Sequence, residues 1–261
     1  MDQQKVLAMV RVPTQVMVFL TNPKWYHINK QKQTIQTQKL INQKLKITMK
    51  NSNIKFEDTY VINNHYKNFS LQKCLEYIEQ KGKEIYGSKF HIKNEHLLPI
   101  HKIIVYAIHA EKYSSTLGLD LNKSLLISGP EGCGKTAIMH LCKPFFGKRF
   151  AFELHSSKSI SHEYARLGFE SLHEFLQHQY KYSPPKTYCF DDFGTENIQK
   201  YYGNECEVMK EILVARYKAF LSTGVKTHLI THLTPSEIED KYGTRQRNQL
   251  RAMCNLISFN V

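Results

Sequence analysis

One octapeptide constrains this chain more than any other feature: Gly129-Pro130-Glu131-Gly132-Cys133-Gly134-Lys135-Thr136, which fits the phosphate-loop pattern GxxxxGK[ST]. Its glycines let the backbone curl so that successive N–H groups face one anion, and the following helix adds the positive end of its dipole. Lys135 supplies a mobile charge for the β and γ phosphates of ATP, and Thr136 a hydroxyl for Mg2+. The residues just before the loop, Ser124-Leu125-Leu126-Ile127-Ser128, form a short apolar run suited to a strand buried on both faces of a parallel sheet. A strand, this loop and then a helix is the context the motif requires.

Downstream, strand and helix patterns alternate. Arg149 to Leu154 reads as a strand, Ser156 to Leu167 and Ser171 to Tyr180 as helices, and Thr187 to Phe190 as a second buried strand. Met209, Ile212, Leu213, Tyr217 and Phe220 mark one face of a long helix, followed by strands at Thr227 to Thr231 and Leu256 to Phe259. Such alternation predicts an α/β P-loop NTPase with a mainly parallel sheet flanked by helices. Asp191 and Asp192 end the run Tyr188-Cys189-Phe190, 56 residues after Lys135. This is a Walker B arrangement, which places the carboxylates at the end of a strand beside the phosphate-loop strand. Asp191 is the Mg2+ candidate and Asp192 the candidate for polarising the attacking water, with Glu196 close enough in sequence to compete for that role.

The N-terminal half is different in composition. Residues 1–55 read as a basic, weakly structured segment, rich in Lys, Gln, Asn and Thr from residue 21, and Met49 opens a second plausible start that would make residues 1–48 dispensable to the fold. Residues 56–114 read as a small, mostly helical region. Leu71, Cys74, Leu75 and Ile78 share one helical face, and Pro99 opens a second helix carrying Ile100, Ile103, Ile104, Ala107 and Ile108. Residues 115–261 form the ATPase core. Of the net charge of +13, ten charges fall within residues 1–123, which hold 19 Lys or Arg against 9 Asp or Glu. That imbalance points to a polyanion partner, and a solubilising Lys-rich surface is the alternative.

Six scattered cysteines without a CxxC pair argue against a zinc site or a disulfide framework and fit a reducing cytoplasm; the 13 histidines include no HExxH. The apolar stretch Val6 to Leu20 is interrupted by Arg11, Pro13, Thr14 and Gln15, so no membrane span is expected.

Four segments in fixed order, NKSLLISGPEGCGKT, CFDDFGTEN, ARYKAF and HLITHLTPSEIEDKYGTRQRNQL, resemble the DnaC/IstB-like branch of AAA+ ATPases over about residues 115–259. The resemblance implies an ATPase that acts on DNA, single-stranded in the helicase-loading members, with a replicative helicase as partner. In the transposition branch the partner is an integrase or transposase. It also implies a homo-oligomer in which Tyr242-Gly243-Thr244-Arg245 carries an arginine finger, Arg245, into the neighbouring subunit's site, with Arg247 and Arg251 nearby. The family's sensor position, commonly asparagine, falls on His232 when Leu233-Thr234-Pro235 is aligned, with Thr231 as the alternative. The chain stops soon after the last strand, which leaves no room for a full lid domain and implies a site completed by a neighbour. A P-loop kinase and a nucleotide-binding scaffold with negligible hydrolysis are the readings from other classes.

Overall fold

The computed structural model describes residues 53–63, 66–176 and 186–259. The expectation for residues 1–48 and the last residues of the expected helix ending at Tyr180 lie outside them. In sequence the chain divides into two compact units, up to His101 and from Lys102.

In the first unit, a tight 3-10 turn at Phe56–Thr59 leads into the antiparallel strands β1 (Tyr60–Asn63) and β2 (Tyr66–Phe69), with Tyr60 opposite Phe69. These strands depart from the mostly helical region expected over residues 56–114. The hairpin holds together through aromatic packing instead of an apolar alternation. The rings of Phe56, Tyr60, Phe69 and Tyr77 pack with centroids 5.2 to 6.3 Å apart. Helix α1 (Leu71–Tyr86) buries Cys74, Leu75 and Ile78, the face its spacing predicts. Its buried Glu79 accepts the Ile92 N–H at 2.7 Å, which ties down the segment after the helix. Helix α2 (Leu97–Ala107), within which the division between the two units falls, has Pro99 in its first turn, where the missing N–H costs no helical bond.

The second unit is built on a five-stranded, wholly parallel sheet. In chain order its strands are β3 (Ser124–Ser128), β4 (Glu153–Ser156), β5 (Tyr188–Asp191), β8 (Thr227–Thr231) and β9 (Cys254–Ser258), and their order across the sheet is β4-β5-β8-β3-β9. A small antiparallel hairpin, β6 (Gln199–Tyr201) and β7 (Asn204–Cys206), follows β5. The helices are α3 (Lys135–Cys142) after β3, α4 (Ser157–Leu167) after β4, α5 (Val208–Thr223) before β8, then α6 (Pro235–Tyr242) and α7 (Thr244–Met253) before β9.

Strand residues alternate between the two faces. Leu126, Tyr188, Phe190 and Leu229 pack with Ile160 and Tyr164 of α4 and with Met209, Ile212 and Leu213 of α5 in one buried cluster. On the opposite face His228 is fully buried among the rings of Tyr106, Phe146 and Phe152, at 5.4 to 5.7 Å. Its Nδ1 accepts the Leu125 N–H at 3.0 Å, so the ring is the neutral tautomer protonated on Nε2. Burial draws its pKa down to about 3.

The strand expected at Arg149 to Leu154 lies further along, at Glu153–Ser156. Phe150 and Phe152 carry the apolar signal for a different reason. Phe150 packs on His109 at 3.9 Å and Phe152 on Phe146 at 4.9 Å, and pairing with β5 begins only at Glu153 opposite Tyr188. The expected helix from Ser171 is a 3-10 turn, Gly168–Leu172, followed by the short helix His173–Leu176. Among the described residues no helix is long and apolar enough to cross a membrane.

Candidate nucleotide-binding site

Because all five strands are parallel, their C-terminal ends share one edge of the sheet, the edge at which ligands bind in open α/β folds. Three loops meet the sequence-derived candidates there: Gly129 to Thr136 after β3, Asp191 to Glu196 at the end of β5, and His232 after β8. The neighbours of β3 are β8 and β9, and β5 lies beyond β8, so the Asp191 strand is not the immediate neighbour expected from the sequence. Helix α3 closes the gap. Its Thr136 hydroxyl donates to Asp191 Oδ1 at 3.0 Å, joining the two motifs directly.

The loop curls through positive φ at Gly132 and Gly134, conformations that favour glycine, and Gly134 caps α3. Gly129 is needed for space: a Cβ there would lie 2.4 Å from the Phe259 carbonyl oxygen, which the Phe259 N–H to Ser128 O bond holds in place at 2.7 Å. The Lys135 ammonium donates to the Gly129 and Pro130 carbonyls, each at 2.7 Å, and lies 3.8 Å from Cys133 Sγ. Glu131 is exposed and approaches His232 Nδ1 at 3.8 Å, which puts His232 at the loop's mouth. Thr231, the alternative sensor, is buried with its hydroxyl donating to Phe193 O at 2.6 Å and accepting from the Leu233 N–H at 3.0 Å.

The two acidic candidates after Asp191 sit in unlike surroundings. Asp192 is exposed, with φ +52°. Glu196 is buried, accepts the Gly194 N–H at 2.9 Å and accepts the Tyr242 hydroxyl on its other oxygen. Burial and the neighbouring Asp192 charge hold the Asp191 carboxyl above the usual carboxylate range, partly offset by the hydrogen bonds from the Asp192 N–H and Thr136. Thr136 and Asp191 are hard oxygen donors side by side at a helix N-terminus, a pair that suits Mg2+ shared with phosphate oxygens. Among the described residues no three His, Cys, Asp or Glu side chains are grouped to hold a metal by themselves.

Arg245 is exposed in the first turn of α7 and, among the described residues, has no ion-pair partner. Arg247 pairs with Glu239 at 3.2 Å, and Arg251 is exposed. Two further contacts, those of Lys241 and of the Tyr242 hydroxyl, are not foretold by the sequence. The Lys241 ammonium donates to the carbonyls of Gly194 at 2.7 Å and Glu196 at 2.8 Å, and the Tyr242 ring stacks on Phe193 at 4.7 Å. No signal along the chain links residues some 46 apart in this way.

No protein-family model and no curated protein matches the chain. Among solved structures it is similar to the DnaC helicase loader, at 16% identity and a TM-score of 0.44 over 65% of this chain and 93% of that one. It is also similar to a structure described as a primosome component from Streptococcus pyogenes serotype M3, at 15% identity and a TM-score of 0.45 over 64% of this chain and 80% of that one. A third is AMPPCP-bound DnaA from Aquifex aeolicus, at 15% identity and a TM-score of 0.41 over 66% of this chain and 48% of that one. In fold class the chain is an α/β protein with a five-stranded parallel sheet flanked by helices, its phosphate-loop sequence and both acidic candidates at the C-terminal edge of that sheet.

Proposed function

We propose that this chain binds and hydrolyses ATP as a DnaC/IstB-like AAA+ protein and uses the cycle on DNA, as a helicase loader or replication accessory factor of the cytoplasm. The observation that carries the nucleotide site is the 3.0 Å bond from Thr136 to Asp191, which unites two motifs 55 residues apart. The DNA role rests on the order of the four family-like segments and on the positive charge of the first 123 residues. Single-stranded DNA, a replicative helicase and further copies of the chain are the proposed partners.

In this reading the phosphate-loop N–H groups receive the β phosphate, Lys135 exchanges its two carbonyls for phosphate oxygens, and Thr136 and Asp191 hold Mg2+. Bound Mg2+ neutralises charge on the phosphates. Asp192, exposed and not tied into the fold by its side chain, orients the attacking water. Glu196, with both oxygens committed, serves the structure of the loop. His232 meets the γ phosphate at the loop mouth, and Arg245 reaches a neighbouring subunit, where a guanidinium stabilises charge on the transferred group.

A scaffold that binds nucleotide without turning it over is the second reading. The positive φ of Asp192, which fixes a short carboxylate at a constrained backbone position, is the observation that favours it.

Paired substitutions test the assignment. Lys135→Ala should weaken nucleotide binding about 10- to 100-fold through loss of a charged hydrogen bond. Asp192→Asn should leave binding intact and slow turnover by about 100-fold or more. Unchanged turnover in Asp192→Asn, measured beside normal binding, removes the water-orienting role from Asp192.

A further inference from the structure

The loop that carries Asp192 is anchored at Phe193 to β8, through the Ile230 carbonyl and the Thr231 hydroxyl, and from Gly194 to Glu196 to the helix that leads to Arg245. Phe193 and Tyr242 are buried and stack nearly parallel, with 11° between the rings. The Tyr242 hydroxyl donates to Glu196, whose second oxygen accepts the Gly194 N–H. Lys241 clasps the carbonyls of Gly194 and Glu196. Inside the loop, Asp192 O accepts both the N–H and the hydroxyl of Thr195, at 3.1 and 2.8 Å, so a shift of Thr195 or Glu196 is felt at Asp192.

On the other side, Tyr242 is followed at once by Gly243, at φ +91°, and α7 begins at Thr244 with Arg245 in its first turn. The Gly243 N–H closes α6 on Glu239 O at 2.8 Å, and its own carbonyl receives the Arg247 N–H at 3.2 Å. Displacement of Arg245 therefore reaches the end of α6 through one residue, and a glycine is the residue there.

We propose that Tyr242, Glu196 and Lys241 form a latch that transmits contact at Arg245 to the position of Asp192, so that a neighbouring subunit sets the geometry of water activation in this subunit's own site. The three are positioning residues. The inference rests on the proposed ATPase function and adds to it a path from the subunit boundary back into the site. The chemistry needed is present: a buried hydroxyl–carboxylate bond has two discrete states, made and broken, and its loss leaves Glu196 with an unpaired oxygen away from water.

Tyr242→Phe removes the hydroxyl and keeps the ring stack, which makes it the first variant to test in the full chain. Two readouts separate transmission from simple support. Without nucleotide, amide exchange should rise at residues 192–196 and also at 243–247, with the rest of the second unit unchanged. With ATP, the rise in turnover per subunit as protein concentration increases should fall by about 10-fold relative to the unaltered chain, at normal nucleotide affinity and well below the unfolding temperature. In a chain already carrying Arg245→Ala, which lacks both the finger and the contact the latch transmits, adding Tyr242→Phe should lower turnover no further.

Exchange rising at 192–196 alone, an intact concentration response, or independent effects of the two substitutions would overturn the latch while leaving the ATPase reading in place. An unaltered chain that binds ATP but shows no concentration-dependent turnover would overturn both. Should Tyr242→Phe not fold, Lys241→Met breaks the same latch from the exposed side, and the same outcomes apply with a smaller loss.

Discussion

Single residues in this chain carry obligations that their sequence context announces only in part. Lys135 and Thr136 are legible from the octapeptide, and so is Asp191 once the apolar run before it is seen. In the structure Thr136 meets Asp191, whereas Lys135 is bonded to Gly129 O and Pro130 O, contacts that the motif does not foretell. His228 is the opposite case. It reads as an ordinary histidine in a strand, yet it is buried against three aromatic rings and bonded to the Leu125 N–H, because the partner backbone and the rings come from distant segments. Its folded pKa, about 3, lies below the ordinary value of 6.5. The neutral ring therefore contributes stability that is fully present above pH 6.5 and is lost as pH falls toward 3, at up to about 1.4 kcal/mol per pH unit. His228→Asn keeps an acceptor for Leu125 and cannot take a proton, so its unfolding should bind about one proton fewer between pH 5 and 6, at a lower baseline stability. Equal pH slopes for the two proteins in denaturant titrations would show that His228 titrates normally.

At the scale of elements, strands buried on both faces are the most readable. The expected runs at Ser124–Ser128 and Thr227–Thr231 match β3 and β8 residue for residue, since a central parallel strand is buried along its whole length and carries its aliphatic residues without a polar break in the middle. Edge elements are less readable. The true β4 opens with Glu153 and is largely polar, whereas the apolar residues before it serve an aromatic cluster outside the sheet. The hairpin of β6 and β7 escapes notice because its strands are three residues long and mostly polar. Gly129 shows how an element boundary constrains a residue: β9 ends where a Cβ on Gly129 would need to be. Gly129→Ala should cost about 1–3 kcal/mol through overpacking and lower the thermal midpoint by roughly 3 to 10 °C. A midpoint within a degree of the unaltered chain would mean that Phe259 yields freely.

For the whole molecule, the phosphate-loop and acidic motifs of the sequence all fall in the second unit, and the first carries none. The core's strand order, in which β8 separates β5 from β3, is not written in any local pattern, because it depends on which strands pair after the chain has crossed the sheet. The charge distribution is legible and makes its own prediction. If the Lys-rich first 123 residues grip nucleic-acid phosphates, affinity for single-stranded DNA should fall linearly on a log–log plot as salt rises, with about 0.7 of a log unit per phosphate contact for each tenfold increase. A flat response in titrations from low to moderate salt would make that charge a solubilising surface.

Whether the proposed ATPase is completed by its own neighbours on DNA is decided by ATP turnover per subunit, measured across a range of protein concentrations with and without single-stranded DNA. Turnover should rise with concentration and rise further when DNA is present. Turnover flat in both, or absent despite measurable ATP binding, would contradict the proposal.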